Sequence, residues 1–583
     1  MQPQTPATPA IATQAAVRRL PRWTLLLLCL AYTLPGFLAR APWKNADIAS
    51  FGVMSHLAQG QTDWWHPTYI GQALDTPALL PYWLGAWAMQ LLPQHTELAA
   101  RLPFMVALLG TFFLTWHAVF RFALLPSAQP VAFAFGGEAP PVDYARSLAD
   151  GGLLALLACL GLAQLSHETT PSVLQLLGAA ALLRSMASFV TPGRPLKPRA
   201  VALWVLGLVT LGLSGAPLLA VAVSLLPLPV GWAAGGHAGR TPPPQQRPLI
   251  AWGLGVLASA ATALTLGPAL LAEGTTRLPN TADAVAQGQL MFWFTWPVWP
   301  LALWTLWRWR RHLGAPHLRG PLWLTGVVVV ASALGSGSDR TLLLALPALS
   351  LLAAFALPTL KRSVTALLDW FSVLFFSLCA LTVWVVWLAM LTGVPAKPAA
   401  NVARLAPGFV LEFSGLGVAM ATLGTAAWLW VVRWRLGKHP SVLWKSLVLP
   451  ATGGTLCWLL LMTLWMPLLD FARSYAPISR RIASMVPPHS CTEVFGLTQA
   501  QLAGLAHHGK LNLKRAPSAD GCATMVVAPH AVDKLATDID LTRWAFKARL
   551  SRLTDNKESL LLYQRVAPPT TLPLEKAPET RSN

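Results

Sequence analysis

Long apolar segments alternate with short polar connections along most of the chain. About 13 of them approach the ~20 residues that a helix needs to cross the hydrocarbon of a membrane. They centre on residues 23–39, 102–122, 126–139, 150–166, 200–214, 216–232, 249–271, 289–307, 321–337, 341–358, 369–392, 411–432 and 446–469. The amphipathic run 172–189 is placed on the membrane surface instead. The pattern predicts an all-α polytopic membrane domain over residues 23–470.

The composition agrees with a membrane protein. Of the 583 residues, 54% are hydrophobic and only 11% are charged, and the mean hydropathy is +0.51. The formal net charge of +20 would be compatible with nucleic-acid binding. However, the cations cluster in short connections beside apolar segments, where they orient membrane proteins. We therefore expect a membrane environment and no nucleic-acid partner.

The distribution of charge predicts an orientation. Arg18, Arg19 and Arg22 precede the first apolar segment, and no clear small-x-small cleavage site follows it, which favours a retained anchor with a cytoplasmic N-terminus. Residues 1–22 are expected to be disordered. The connections then expected inside carry these cations: Arg121, Arg194, Lys197, Arg199, Arg240, Arg247, Arg308, Arg310, Arg311, Lys361, Arg362, Arg433, Arg435 and Lys438. Such a pattern is typical of a multi-pass protein of the bacterial inner membrane.

The chain changes character from about residue 471. Strand-like patterns appear in TEVFGL, ATMVVA and SLLLYQRV, separated by a Thr498-capped helical stretch and a second helix beginning near Pro529. These features predict a small α/β domain over residues 471–570 on the periplasmic side, followed by a disordered tail over 571–583.

The cysteines divide into two groups. Cys29, Cys159, Cys379 and Cys457 fall inside apolar segments and are expected to be inert, whereas Cys491 and Cys522 lie in the C-terminal domain. Because disulfides persist on the oxidising side of the membrane, the latter two are candidate partners. Two free thiols remain the alternative.

The first connection, residues 40–100, collects most of the candidate chemistry. Asp47 follows the first apolar segment, flanked by Arg40 and Lys44, and begins an amphipathic helix. An ionisable residue near a membrane face is costly unless it is paired or hydrated, so Asp47 is a candidate for accepting a proton. The alternative is a charge that only stabilises the helix N-terminus.

A second candidate acid is Asp150, where a polar connection turns into a later span. The predicted topology places it on the same outer face as Asp47. Helix capping, or pairing with Arg146 one turn earlier, is the alternative.

The order of these elements resembles a known family. Asp47, QTDWWHP, GQALDTPALLPYWLGA and AARLPF follow one another, and YARSLADGGLLALL and SGSDRTLLLALPALSLLAA come later. The sequence resembles the GT-C membrane glycosyltransferases. More narrowly, it is similar to the bacterial aminoarabinose transferases and the protein O-mannosyltransferases, which act on dolichyl-phosphate-mannose. The resemblance extends to about residue 360.

The resemblance implies an enzyme that transfers a sugar from an undecaprenyl-phosphate donor on the periplasmic side. A lipid or glycolipid such as lipid A is the implied acceptor. Asp47 and Asp150 would be the two catalytic acids of the family. Candidates for substrate binding, chosen mainly to hold the donor phosphate, are Arg40, Lys44, Arg101, Arg340 and the aromatic Tyr82.

The sequence departs from the family at two turns. Thr76 and Ser214 stand where the aminoarabinose transferases carry lysines, so the donor charge would be met by other cations. The alternatives are a degenerate homologue that binds lipid-linked sugar or assists envelope assembly, and a protein O-glycosyltransferase. Because the first connection has no D-x-D pair, no obligatory metal or other cofactor is expected, with a divalent cation left as the alternative. We also expect a monomer.

Overall fold

The computed structural model describes residues 8–38, 40–43, 45–191, 196–225, 246–272, 281–334, 339–437, 442–518 and 521–566. The N-terminal part of this structure is almost entirely helical. Its α-helices are α1 Arg22–Phe37, α2 Ala46–Ala58, α3 Leu80–Leu91, α4 Thr96–Ala123, α5 Pro141–Ala158, α6 Leu162–Leu165, α7 Pro171–Phe189, α8 Pro198–Leu213, α9 Pro217–Ser224, α10 Gln246–Ala272, α11 Thr281–Phe294, α12 Val298–Arg308, α13 Pro316–Leu334, α14 Asp339–Leu343, α15 Leu346–Ala354, α16 Arg362–Thr392, α17 Ala396–Leu405, α18 Gly415–Leu436, α19 Val448–Leu461 and α20 Met466–Arg473. Short 3₁₀-helices lie at Gln14–Val17, Pro93–His95, Pro126–Ala128, Leu357–Thr359 and Leu443–Leu447.

Among the described residues, six helical segments are long and apolar enough to cross a membrane. They are Pro93–Ala123, Pro171–Phe189, Pro316–Leu334, Asp339–Thr359, Arg362–Thr392 and Gly415–Leu436. A seventh arises if Leu443–Leu461 and Met466–Arg473, which meet at a 70° bend, form one broken span. Shorter apolar helices of 10–17 residues, including Arg22–Phe37, pack beside them. The predicted polytopic helical domain is confirmed, but the described helices do not account for 13 spans.

Two segments differ from the sequence prediction. Residues 129–139, expected to belong to a span, form no helix, and their backbone instead hydrogen-bonds to the N-terminal segment through Val131, Gly137 and Ala139. Conversely, the run 172–189 is not on the surface, because α7 is largely buried between α4 and α8. A Cβ added to Gly178 would lie 3.0 Å from the Gly207 carbonyl oxygen, so a larger residue would require the two helices to move apart by a few tenths of an ångström.

The N-terminal segment also differs from its prediction. Residues 1–7 lie outside the described part, but residues 8–22 are packed rather than disordered. Ala10 and Ala12 are buried, and Thr13 forms an isolated β-bridge with Glu138. The apolar character of these small residues allows them to cover the end of α5.

Proline and glycine set many helix boundaries. α5, α7, α8 and α9 each begin with a proline, whose fixed φ suits the first turn and whose missing N–H is not needed there. α16 ends at Gly393, which has a φ of 76° and so terminates the helix in the left-handed region.

A small α/β domain follows the helical part. Its elements are α21 Ala476–Ala483, β1 Cys491–Phe495, α22 Gln499–Gly509, β2 Asn512–Arg515, β3 Thr524–Val527, α23 Val532–Asp538, β4 Trp544–Arg552 and β5 Asp555–Arg565. The sheet order is β2-β1-β3-β5-β4; β1 is parallel to β2 and β3, whereas β5 is antiparallel to β3 and β4. The three strands expected from the sequence correspond to β1, β3 and β5, and β2 and β4 are additional. The predicted tail 571–583 lies outside the described residues.

Two local predictions in this domain are confirmed. Thr498 and Gln501 form a reciprocal capping box at the start of α22, with hydrogen bonds of 3.3 and 3.0 Å. Cys491 and Cys522 form a disulfide that closes a sequence separation of 31 residues. The bond ties the start of β1 to the connection before β3.

Replacing both Cys491 and Cys522 by serine should destabilise the C-terminal domain. A closed loop of this length restricts the unfolded chain, so the expected loss is about 3 kcal/mol in the free energy of unfolding. Thermal unfolding and limited proteolysis of the purified protein measure it. Cys379→Ser, in the apolar α16, is the control and should leave proteolysis of the domain unchanged. Alkylation of six thiols in unreduced, denatured wild-type protein would contradict the disulfide.

Candidate active site

Asp47 occupies the first turn of α2 and is 1% exposed. Its Oδ2 accepts hydrogen bonds from Arg40 Nη2 at 2.9 Å and from the Trp43 backbone N–H at 3.0 Å. Its Oδ1 accepts from the backbone N–H of Thr169 at 2.7 Å and from the Thr169 hydroxyl at 2.9 Å. Burial by itself raises the pKa of Asp47, but the charge of Arg40 and these donors hold the pKa below its usual value. The carboxylate is therefore ionised at neutral pH.

Arg40 is fixed in place by more than its pairing with Asp47. The guanidinium also donates to the His167 carbonyl at 2.7 Å and lies 4.5 Å from the centroid of the Trp43 ring. Its side chain is 1% exposed. Its charge is thus largely neutralised by Asp47, and both hydrogen bonds use Nη2. A role of Arg40 in substrate binding stays a prediction. The role predicted for its neighbour Lys44 falls on a residue outside the described part.

A second ion pair lies beside the first. Glu168, adjacent in sequence to Thr169, is 3% exposed and pairs with Arg340 at 2.6 Å. Arg340 Nη1 also lies 3.3 Å from the Thr170 hydroxyl. Burial raises the pKa of Glu168, Arg340 opposes that shift, and the negative charge of Asp47 adds to it. The Arg340 side chain is 31% exposed, so this cation, unlike Arg40, reaches solvent.

A third acid, Asp470 in the middle of α20, fastens the segment between α1 and α2. It accepts the Trp43 indole N–H at 2.6 Å and the Ala41 backbone N–H at 3.1 Å. One turn later, Arg473 lies 5.1 Å from the Trp43 ring centroid and donates to Gln164 at 3.0 Å. The broken helix pair α19–α20 therefore supports the same loop that presents Asp47.

Arg101 completes this group on α4. It is 4% exposed, lies 3.7 Å from Glu97, and interacts electrostatically with Asp47 and Asp470. Its Nη2, the atom that faces Glu97, has no hydrogen-bond partner among the described residues. A buried guanidinium with an unpaired donor is a good binding group for an anionic oxygen. We call Asp47, Glu168, Asp470, Arg40, Arg101, Arg340 and Arg473 the Asp47 cluster.

A cavity of about 260 Å³ adjoins α2 and includes Tyr82, as well as Thr76 at the position of the missing lysine. The Tyr82 hydroxyl donates to the Thr76 carbonyl at 3.0 Å. On the opposite wall, Gln499 of α22 accepts the Asp75 N–H at 3.2 Å, and its own Nε2 has no partner although the residue is only 3% exposed. Burial raises the pKa of Asp75. Tyr82 therefore lines a polar cavity rather than only anchoring the loop.

Asp150 does not lie with Asp47, and the prediction that the two acids share a face is wrong. It accepts the Trp116 indole N–H at 2.8 Å and the backbone N–H of Leu20 at 3.4 Å. Leu20 precedes α1 and Asp47 follows it, so the acids are separated by a helix of about 24 Å. The false span at 126–139 is the reason, because it reversed the predicted direction of α5.

The cluster contains acids that sequence reasoning missed. Glu168 stands in SHETTP, directly before the proline that begins α7, and Asp470 lies beyond the last apolar segment. Excluding 126–139 as a span would have placed Glu168 on the side of Asp47. Within the described residues, no three His, Cys, Asp or Glu side chains are grouped so that they could hold a metal. Metal independence stays a prediction.

The helical domain, its polar first loop and the C-terminal α/β domain together have a fold that is found in solved structures of other proteins. One of these proteins is ArnT from Cupriavidus metallidurans. The structure of ArnT bound to undecaprenyl phosphate matches with a TM-score of 0.60 and 16% identity, covering 94% of this chain and 98% of that chain. The apo state matches with a TM-score of 0.58 and 15% identity, covering 93% and 98%. No family model and no curated protein sequence matches the chain.

Replacing Arg340 by glutamine should lower the melting temperature because Glu168 is left buried without its cation. The expected cost is about 1–3 kcal/mol. Adding Glu168→Gln should restore most of the loss, as thermal unfolding in detergent can measure. Arg19→Gln is the matched control, since its partner Asp143 is exposed and such pairs contribute little. Additive effects of the two substitutions would contradict the coupling.

Proposed function

We propose that this protein is a glycosyltransferase that transfers a sugar from a polyprenyl-phosphate donor, such as undecaprenyl phosphate, to a lipid or glycolipid acceptor such as lipid A. The observation that carries the proposal is the Asp47 cluster, a buried ionised carboxylate among guanidinium groups at one end of the helical domain. The fold supports it, because ArnT, which shares that fold, has been crystallised with undecaprenyl phosphate.

In this mechanism Asp47 acts on the acceptor. Its lowered pKa keeps the carboxylate ionised. The acceptor hydroxyl takes the place of the Thr169 hydroxyl at Oδ1, donates a hydrogen bond there and then transfers its proton to the carboxylate. The hydroxyl oxygen forms a bond to the anomeric carbon of the sugar as the bond from that carbon to the donor phosphate oxygen breaks. The polyprenyl phosphate leaves with the bonding electrons.

The leaving phosphate needs cations because its charge would otherwise be desolvated at the membrane surface. Arg101 offers a buried Nη2 that lies 3.7 Å from Glu97 but makes no hydrogen bond within the described residues, and Arg340 offers a partly exposed guanidinium. These two arginines are therefore better candidates than Arg40 for the charge that Thr76 cannot provide. Glu168 and the Thr170 hydroxyl orient the Arg340 guanidinium, and such prior positioning favours electrostatic stabilisation of a leaving group.

The same proposal includes an orientation. The disulfide in the C-terminal domain supports a location in the oxidising periplasm. The cations between the spans support a cytoplasmic location for the opposite face and for the N-terminus. The Asp47 cluster would then open on the periplasmic side of a bacterial inner membrane, where a lipid-linked donor and a glycolipid acceptor can both reach it.

Replacing Asp47 by asparagine should reduce transfer about 10²–10⁴-fold, the contribution typical of a positioned acid or base. Asparagine keeps a carbonyl oxygen for Thr169, so the protein should still insert and purify as a single species. Transfer of radiolabelled sugar from a polyprenyl-phosphate donor in membranes measures the effect. Asp150→Asn is the control and should retain transfer, because Asp150 lies at the other end of α1. Full activity of Asp47→Asn would refute the assignment.

Comparing lipids from cells with and without the gene by mass spectrometry tests the reaction class. Cells that carry the gene should contain a lipid or glycolipid species heavier by one sugar residue, and the species should be missing when Asp47→Asn replaces the wild type. The mass difference identifies the sugar and the acceptor. If donor binding persists without any modified lipid or protein, a non-catalytic carrier of lipid-linked sugar is the better description.

A further inference from the structure

A second cavity lies in the C-terminal α/β domain, apart from the Asp47 cluster. Its volume is about 570 Å³, within the ~300–1,000 Å³ usual for ligand pockets. The lining includes Phe495, Gly496, Arg515, His530 and Lys534, and Gln72 is the one lining residue that comes from the first connection. Nothing in the proposed transfer reaction uses these groups.

The cavity lies at the carboxyl edge of the parallel part of the sheet. β1 and β3 are adjacent and parallel, and the residues that follow them, Gly496 and His530, line the cavity. The connection from β1 leads to β2 on one side, whereas the connection from β3 leads to β4 and β5 on the other. The carboxyl ends of β1 and β3 thus flank a topological switch point, the position at which open α/β sheets bind ligands.

The turn after β1 packs closely against the segment that begins α23. Gly496 has a φ of 70°, and a Cβ placed on it would lie 2.2 Å from the Cβ of Ala531. Any other residue would therefore push apart the turn after β1 and the segment that begins α23. The glycine keeps the two strand ends together as one rim of the cavity.

The charge of the lining indicates the chemical class of the ligand. Arg515 and Lys534 are exposed cations at the cavity, His530 stands beside them, and Asp538 is the one acid among the lining residues. One guanidinium nitrogen of Arg515 donates to the Gly71 carbonyl at 3.2 Å, which orients the side chain. An arginine fork and a lysine ammonium together suit a phosphate, whose oxygens accept several charge-assisted hydrogen bonds.

We propose that this cavity binds a phosphate monoester, carried either by a small soluble sugar phosphate or by a lipid headgroup. The site is independent of the proposed transferase chemistry. Its position gives binding a structural consequence, because Arg515 and Gln72 connect it to the segment that continues to Asp75 and Thr76. An occupied cavity would add contacts to the same loop that lines the cavity beside α2.

Calorimetric titration of the full-length protein in dodecyl maltoside, in phosphate-free buffer, tests the soluble form of the ligand. Inorganic phosphate and glucose 1-phosphate should bind, and uncharged glucose should not. The double variant Arg515→Gln/Lys534→Gln should bind both phosphates about tenfold more weakly or worse, because two charge-assisted contacts are lost. The control Arg543→Gln/Lys547→Gln removes the same charge at the far edge of the sheet and should bind as the wild type does.

A second arm places the protein in phosphatidylcholine nanodiscs with or without phosphatidic acid, and native mass spectrometry counts retained phosphatidic acid. Retention that depends on Arg515 and Lys534, without binding of soluble phosphates, assigns the phosphate to a lipid. Arg340→Gln should leave binding unchanged in both arms. The proposal is overturned if no phosphate compound binds, if the double variant binds normally, or if Arg340→Gln abolishes binding. None of these readouts requires sugar transfer, so their failure is separate from failure of the proposed function.

Discussion

Burying the charge of Asp47 is the constraint on which the first loop depends. A carboxylate removed from water must replace its hydrogen bonds to water with hydrogen bonds from protein donors. Here Arg40, Trp43 and Thr169 donate four such bonds to Asp47. These donors come from different parts of the chain: the end of α1, the turn into α2 and the connection before α7. Forming one ion therefore fixes the mutual positions of three elements, and Asp470 fixes the same loop from a fourth.

The sequence predicted the class of the fold and the central acid because both depend on local pattern. Apolar segments report spans directly, and Asp47 stood out as an ionised group next to one of them. The predicted order of spans was wrong at two segments. Residues 126–139 were counted as a span, and residues 172–189 were counted as a surface helix. The error at 126–139 inverted the predicted direction of α5 and with it the predicted place of Asp150.

The remaining cluster could not be read from local pattern because its pairs are distant in sequence. Glu168 meets Arg340 across 172 residues, and Trp43 meets Asp470 across 427. A family resemblance assigns roles to residues one at a time. It assigned substrate binding to Arg40 and could not show that Arg40 forms an ion pair with Asp47. What decides which arginine remains for a ligand is the inventory of partners, and only the structure provides that inventory.

The C-terminal domain belongs to the same physical argument, although its sequence looks like an independent unit. Gln499 of α22 bonds to Asp75, and His507 near the end of the same helix pairs with Glu97 of α4 at 2.8 Å. One wall of the cavity beside α2 is thus formed by this domain. The buried Nε2 of Gln499 in that wall has no hydrogen-bond partner among the described residues. The cavity beside α2 therefore depends on the docking of the C-terminal domain as well as on the first loop, because Gln499 and Asp75 are joined across their contact.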